Sequence, residues 1–153
     1  LPPIGGDTKF ANMYLAYEQL SNGMKRIVNS LNVIQSSAKR RVMKGRGETV
    51  QVGRRAGEEE LIAEHPVVRI HSETGRRALY VNQAHSLHFS GMNVQESQPL
   101  LNYLFRHQIS SEFTARYRWR PGTMILWDNR CVQHYPLNDY HGYKRVMHRI
   151  TIA

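Results

Sequence analysis

The chain has 153 residues, of which 41% are hydrophobic, with a net charge of +9 and a single cysteine, Cys131. That is the length of one ordinary domain with enough apolar residues for a core, so residues 1–153 are read as a single domain. The composition is neither low-complexity nor that of a disordered chain, no run approaches the ~20 apolar residues of a membrane span, and one cysteine excludes an internal disulfide, which fits a cytoplasmic location.

Leu1-Pro2-Pro3-Ile4 offers neither the basic region nor the apolar run of a signal peptide. The chain opens without Met, and we expect it to be part of a longer protein. A Pro/Gly turn over residues 2–6 leads into a short strand at 8–11. Residues 13–20 read as a helix. Ser21 caps a second helix whose apolar face is Met24, Ile27, Val28 and Leu31, at helical spacing. A basic loop of about residues 36–57 follows, punctuated by Gly45, Gly47, Gly53 and Gly57. Residues 58–64 read as one or two helical turns. Residues 67–71 and 77–81 form a hairpin around Ser72-Glu73-Thr74-Gly75.

Ser97 ahead of Pro99 signals a helix start, and the helix runs to about His107 on a stripe of Leu100, Leu101, Leu104 and Phe105. From Phe113 the period changes to two, with Phe113, Ala115, Tyr117 and Trp119 on one face. Pro121-Gly122 is a turn. Residues 123–127 and 145–152 read as further strands. Short strands after two or three helices predict a mainly β protein with helical insertions, an antiparallel sandwich or jelly roll.

The positive charge concentrates in Lys39, Arg40, Arg41, Lys44, Arg46, Arg54 and Arg55. A polyanion such as nucleic acid is the functional reading of that cluster; a basic surface or a site for small anions is the plainer one. The loop carries no aromatic residue on which a base would stack, so a nucleic-acid partner is not expected.

Chemistry concentrates near the end of the chain. In the strand read at 145–152, Arg145 and Arg149 share a face, roughly 13 Å apart at Cα by strand geometry. Two arginines so placed suit the two ends of a small dicarboxylate, because each guanidinium binds a carboxylate through two parallel hydrogen bonds. Two surface arginines on an edge strand would show the same spacing. His134 precedes Arg145 by eleven residues. A histidine and an arginine on neighbouring strands is a layout that would hold a metal and the far end of a chelating cosubstrate.

The run Trp127-Asp128-Asn129-Arg130-Cys131-Val132-Gln133-His134-Tyr135 resembles the C-terminal iron-ligand motif of the taurine dioxygenase family, which includes alkylsulfatases and aryloxyalkanoate dioxygenases. Arg145-Val146-Met147-His148-Arg149 resembles its cosubstrate-binding strand, and Gly5-Gly6-Asp7-Thr8 its Gly-Gly-Asp-Thr turn. His65-Pro66-Val67-Val68-Arg69 and Leu79-Tyr80-Val81-Asn82 resemble its central hairpin. The resemblance implies a double-stranded β-helix (jelly roll), incomplete at the N-terminus.

It also implies iron(II) and 2-oxoglutarate as cofactors, and hydroxylation of a small organic anion (an alkylsulfonate such as taurine, an alkyl sulfate or an aryloxyalkanoate) by O2, with release of succinate and CO2. His134 would be the distal histidine of a two-His, one-carboxylate triad. Arg145 and Thr8 would hold the remote carboxylate of 2-oxoglutarate. Arg149 would sit near its chelating end and reach the anionic substrate. Asp128, Asn129 and Arg130 would support the His134 strand. A homo-oligomer is implied as well.

The family's His-x-Asp pair lies upstream of its Gly-Gly-Asp-Thr turn, and these 153 residues do not supply it. One imidazole does not hold iron(II) in a defined geometry, so the chain by itself is expected to be inactive and, with exposed sheet edges, prone to associate. His71-Ser72-Glu73 has the spacing of such a pair, but it falls in a turn of the central hairpin and is read as a decoy. His85 and His88, just after the strand at 79–82, are read as ordinary packing residues in preference to lining of a substrate pocket, His65 as packed at a strand entrance, and His107, His141 and His148 as structural or solvated.

Overall fold

Asn12 ends one element and starts the next. Its extended backbone closes strand β1 (Thr8–Asn12), and its side-chain carbonyl accepts the amides of Tyr14 and Leu15, capping helix α1 (Met13–Glu18). Such a cap satisfies donors that the first helical turn cannot bond internally. The computed structural model describes residues 1–37 and 60–152, and most of the basic loop lies outside them.

Ser21 caps α2 (Asn22–Asn29) by accepting the Met24 amide, as expected. Val28 from the predicted stripe is fully buried, whereas Ile27 is about half exposed. Next come β2 (Asn32–Ser36), β3 (Ile62–Pro66), the hairpin strands β4 (Val68–Ile70) and β5 (Arg77–Leu79), and β6 (Ser86–Phe89). After helix α3 (Val94–His107), a 3-10 turn (Ser111–Phe113) leads to β7 (Thr114–Tyr117) and finally to β8 (Val132–Pro136).

Among the described residues the strands form three antiparallel groups. One sheet has the order β7-β1-β8, a second has the order β3-β2-β6, and β4 pairs with β5. The core lies where α1 and α3 meet these layers. Met13, Val33, Val67, Leu79, Val81, Phe89, Leu101 and Leu104 are almost completely buried there. Each such aliphatic or aromatic side chain stabilises the fold by roughly 1.5–3 kcal/mol relative to its exposed state.

Four expectations are corrected. Residues 62–64 belong to strand β3, not to a helix, because Asn32–Ser36 offers a complete antiparallel partner. Ladder hydrogen bonds and cross-strand contacts outweigh the helix propensity of Ala63 and Glu64. Helix α3 starts at Val94 rather than near Ser97: Asn93 and Glu96 form a reciprocal capping box that fixes the true start. Pro99 lies inside the helix instead of at its first turn.

The segments 123–127 and 145–152 are not strands. Their alternation is that of a strand, but no neighbour completes a ladder with them among the described residues. A lone extended segment has no hydrogen-bond partner to define it. Met124, Leu126, Ile150 and Ile152 are all more than 80% exposed.

Candidate functional site

The Gly5-Gly6-Asp7 turn requires glycine. Gly5 and Gly6 have φ of 69° and 72°, the left-handed region. A Cβ on Gly5 would sit 2.6 Å from Asp139 Oδ1 and 2.8 Å from the Asp139 carbonyl carbon. The turn can therefore press against the Asp139 segment only because it has no side chain there. Asp139 Oδ1 accepts the Gly6 amide at 2.7 Å. Arg116 donates from Nε to Asp7 Oδ2 at 2.6 Å and from a terminal nitrogen to Asp139 Oδ2 at 3.0 Å. The Gly6 amide, with the Arg116 guanidinium, holds the Asp139 carboxyl below its ordinary range.

This clamp sets the start of β1 and hence Thr8. Thr8 is 5% exposed. Its hydroxyl oxygen accepts the Trp119 indole N–H at 2.9 Å, and its own proton meets no acceptor among the described residues. Arg145 donates from Nε to the Gly6 carbonyl at 2.9 Å, and its guanidinium lies 6.0 Å from the Tyr140 ring. Its terminal nitrogens make no hydrogen bond among the described residues. A buried hydroxyl with a spare proton, near a half-buried guanidinium with spare donors, is a seat for an anionic oxygen.

His134 stands on β8, directly opposite Phe10 of β1, while Thr8 stands opposite Pro136. Thr8 and His134 therefore share one face of the sheet as diagonal neighbours, about 7–8 Å apart at Cα. The His134 ring is half-buried against Trp127, with centroids 4.9 Å apart, and lies 6.5 Å from Phe10. Trp127 also meets Phe10 edge-on at 5.3 Å. These rings restrict the rotation of the imidazole and shield one side of it from water.

Arg149 is different. It is exposed, lies in the unpaired 145–152 segment and makes no hydrogen bond or ion pair among the described residues. The strand on which Arg145 and Arg149 were to share a face is absent, and so is the spacing inferred from it. Sequence reasoning did not single out Trp119, Asp7, Arg116 or Asp139 for the site. The available signals were the alternation Arg116-Tyr117-Arg118-Trp119, which begins in β7 and runs past its end, and the acid inside the Gly-Gly-Asp-Thr turn.

His71, Asp128 and Cys131 place ligand atoms within 4.8 Å of one another, the one such cluster found among the described residues. The hydrogen bonds argue against a metal there. His71 Nδ1 accepts the amides of Glu73 and Thr74, so the ring proton is on Nε2, which donates to Asp128 Oδ2 at 3.0 Å. A metal-bound histidine shows the opposite polarity, its second nitrogen donating. Arg130 grips both oxygens of Asp128 and reaches Glu73 Oε1 at 2.9 Å. His71 and Glu73 therefore face separate partners. Arg130 first, then His71, holds the Asp128 carboxyl well below the usual carboxylate range. The network clasps the 71–75 turn to the segment that enters β8. Elsewhere, His107 donates to the Ala16 carbonyl at 2.7 Å, and the His65 ring meets Tyr80 edge-on at 5.3 Å.

Comparison with known proteins identifies the family of the chain. The family model described as "Taurine catabolism dioxygenase TauD, TfdA family" matches residues 1–151. An alkylsulfatase of Acinetobacter baylyi is 35% identical over 159 aligned residues, covering all of this chain and 49% of the relative. An alpha-ketoglutarate-dependent 2,4-dichlorophenoxyacetate dioxygenase of Cupriavidus pinatubonensis is 34% identical, covering 88% of this chain and 45% of the relative. The crystal structure of a putative alpha-ketoglutarate-dependent taurine dioxygenase from Burkholderia xenovorans superposes with a TM-score of 0.75 at 36% identity, over 92% of this chain and 45% of that one. The chain belongs to the TauD/TfdA family, and it spans about half the length of the curated relatives it matches.

Proposed function

We propose that this chain supplies the 2-oxoglutarate seat and the distal histidine ligand of an iron(II)- and 2-oxoglutarate-dependent dioxygenase. The substrate is a small organic anion: an alkylsulfonate, an alkyl sulfate or an aryloxyalkanoate. The observation that carries this reading is the pairing of Thr8, buried with a spare proton on the sheet that presents His134, with Arg145, bound from outside that sheet at the Gly6 carbonyl two residues before Thr8. The architecture proposed for the whole protein is the jelly roll, to which β7-β1-β8 contributes one part.

His134 fits a divalent metal of borderline softness, since an imidazole suits iron. A facial triad needs two further ligands, and the three-residue ligand cluster found among the described residues, His71, Asp128 and Cys131, does not include His134. Iron(II), when bound, supplies the oxygen chemistry that couples decarboxylation of 2-oxoglutarate to hydroxylation of the substrate. The chain's own contribution is orientation. Thr8 and Arg145 neutralise and fix the remote carboxylate, Trp127 and Phe10 hold the imidazole, and Arg149 is available to an anionic substrate. If the hydroxylated carbon bears a sulfonate, sulfate ester or aryl ether, the product collapses with release of sulfite, of sulfate and an aldehyde, or of a phenol.

The test is succinate release by the natural full-length protein, with iron(II) and 2-oxoglutarate, against taurine, alkyl sulfates and aryloxyalkanoates. Substrate-dependent succinate production supports the proposal. Binding of 2-oxoglutarate that is indifferent to metal, with no turnover, would instead indicate a binding protein that has kept only the cosubstrate seat. Binding of nucleic acid that weakens steeply with salt would point to the basic loop as the functional element.

A further inference from the structure

A threonine hydroxyl has one proton to give and lone pairs to receive. In a buried position the receiving and giving roles are set by the neighbours, because no water rearranges to suit a ligand. At Thr8 one lone pair is already engaged: the indole N–H of Trp119 donates to Oγ1 at 2.9 Å. An indole N–H is only ever a donor, so this bond cannot reverse. The Thr8 proton is directed elsewhere, and no acceptor meets it among the described residues although the residue is 5% exposed.

Trp119 is itself braced. Its ring meets Tyr117 edge-on at 5.5 Å, and Tyr117 pairs with Thr8 across the β1–β7 ladder. The donor that fixes Thr8 is thus held by the strand next to Thr8. Arg145, on the other side, is tied by its Nε to the Gly6 carbonyl, leaving its terminal nitrogens available. At this end of β1, among the described residues, the Thr8 proton and the Arg145 terminal nitrogens are thus donors left for a ligand.

We propose that Trp119 is a positioning residue for the cosubstrate: its N–H engages one lone pair of the Thr8 oxygen and so orients the hydroxyl proton toward the remote carboxylate of 2-oxoglutarate. This rests on the function proposed above and deepens it. Trp119 does not touch the cosubstrate; it acts through Thr8. Removing its N–H leaves the hydroxyl free to rotate and to turn its proton back toward protein carbonyls, so part of its donation to the carboxylate is lost.

The experiment is a double-mutant cycle on the natural full-length protein, read by calorimetric titration of 2-oxoglutarate into the metal-loaded protein and by the 2-oxoglutarate KM and kcat. Trp119→Phe keeps a ring and removes the N–H. It should weaken 2-oxoglutarate binding about three- to tenfold, the range of one hydrogen bond, with kcat changed less than about twofold. In a Thr8→Val background the same substitution should change binding by less than about twofold, because the hydroxyl it acts on is gone.

Trp119→His, which retains a ring N–H, should recover part of the loss and serves as the second variant if the Phe protein folds poorly. Equal losses in both backgrounds, or no loss in either, would overturn the proposal. Failure of the unsubstituted protein to bind 2-oxoglutarate with metal would overturn the function itself, a result distinguishable from failure of the Trp119 effect alone.

Discussion

The two ends of the site are built by opposite means. At the Gly5-Gly6-Asp7 turn, polar groups from four distant points of the chain meet: Arg116, Trp119, Asp139 and Arg145 all bond within residues 6–8. At 123–127 and 145–152, apolar side chains alternate along extended backbone, and several stand in the open. The first region is ordered by hydrogen bonds that its own residues complete. The second has the sequence pattern of strands and no ladder. A period of two specifies which face a residue belongs to, but a strand exists only when a partner accepts its backbone groups. The residues proposed for the site divide along the same line, with Thr8 in the first region, Arg145 tied to it from the edge of the second by its bond to the Gly6 carbonyl, and Arg149 left in the second.

The comparison is broken most directly at glycine. Gly5 and Gly122 both have positive φ, 69° and 79°. A Cβ on Gly5 meets Asp139, whereas one on Gly122 meets nothing within 4 Å. Gly5→Ala should destabilise the protein by roughly 2–5 kcal/mol, from left-handed strain plus a clash with backbone, and should abolish measurable 2-oxoglutarate binding. Gly122→Ala should lose only about 1–2 kcal/mol and leave binding intact. Denaturant midpoints and calorimetric titrations of both variants check this. Equal effects would mean that crowding at Asp139 is not what holds the turn.

Next in size is Arg145. Replacing it with Met keeps much of the stem but removes the charge and all donors. Affinity for 2-oxoglutarate should fall about 10- to 100-fold, as for loss of a hydrogen-bonded charge partner. Arg149→Met should leave 2-oxoglutarate affinity within about threefold while raising the KM for the organic anion. Reversal of the two phenotypes would show that the roles proposed for the two arginines are exchanged.

The clasp beside β8 sharpens the comparison by pH. Asp128 has its pKa depressed by Arg130 and His71, so its ionised form is favoured by folding. The sign follows: this contribution to stability is complete above the ordinary aspartate pKa of about 3.9 and is lost as pH falls below it toward the depressed folded value. Thermal melts between pH 7 and pH 3 should show Asp128→Asn less stable than the unsubstituted protein at neutral pH, with the gap closing under acid. A gap that does not change with pH would mean that the carboxylate charge contributes nothing.

Much of this was legible in the residues. The capped helices, the 68–79 hairpin, the buried stripe of α3 and the family motifs around Thr8, His134 and Arg145 follow from local signals. Strands β2 and β6 did not, because Asn32–Ser36 and Ser86–Phe89 are short and partly polar, and become strands only by pairing with each other and with β3. The start of α3 was displaced by Pro99, which reads as a first-turn residue until the Asn93–Glu96 box is seen. Trp119 could not be assigned from sequence at all: its role depends on a hydrogen bond to a residue 111 positions away.

The smallest expected effect lies in the unpaired region. Ile150 is 89% exposed and Met124 is 92% exposed, so neither stabilises the 153-residue chain through burial. Substituting each with Thr should change the unfolding free energy of that chain by less than about 0.5 kcal/mol, as for ordinary surface sites. The same substitutions should reduce its self-association in sedimentation experiments, because they remove apolar area from an open edge. In the natural full-length protein the pair of substitutions decides what the alternation is for. Loss of about 1 kcal/mol or more per site would show that these faces are covered there, and that residues 123–127 and 145–152 gain their ladder from the rest of the protein. An unchanged stability would show that their alternation serves the surface, and that Arg149 approaches its substrate from a segment held only at Arg145.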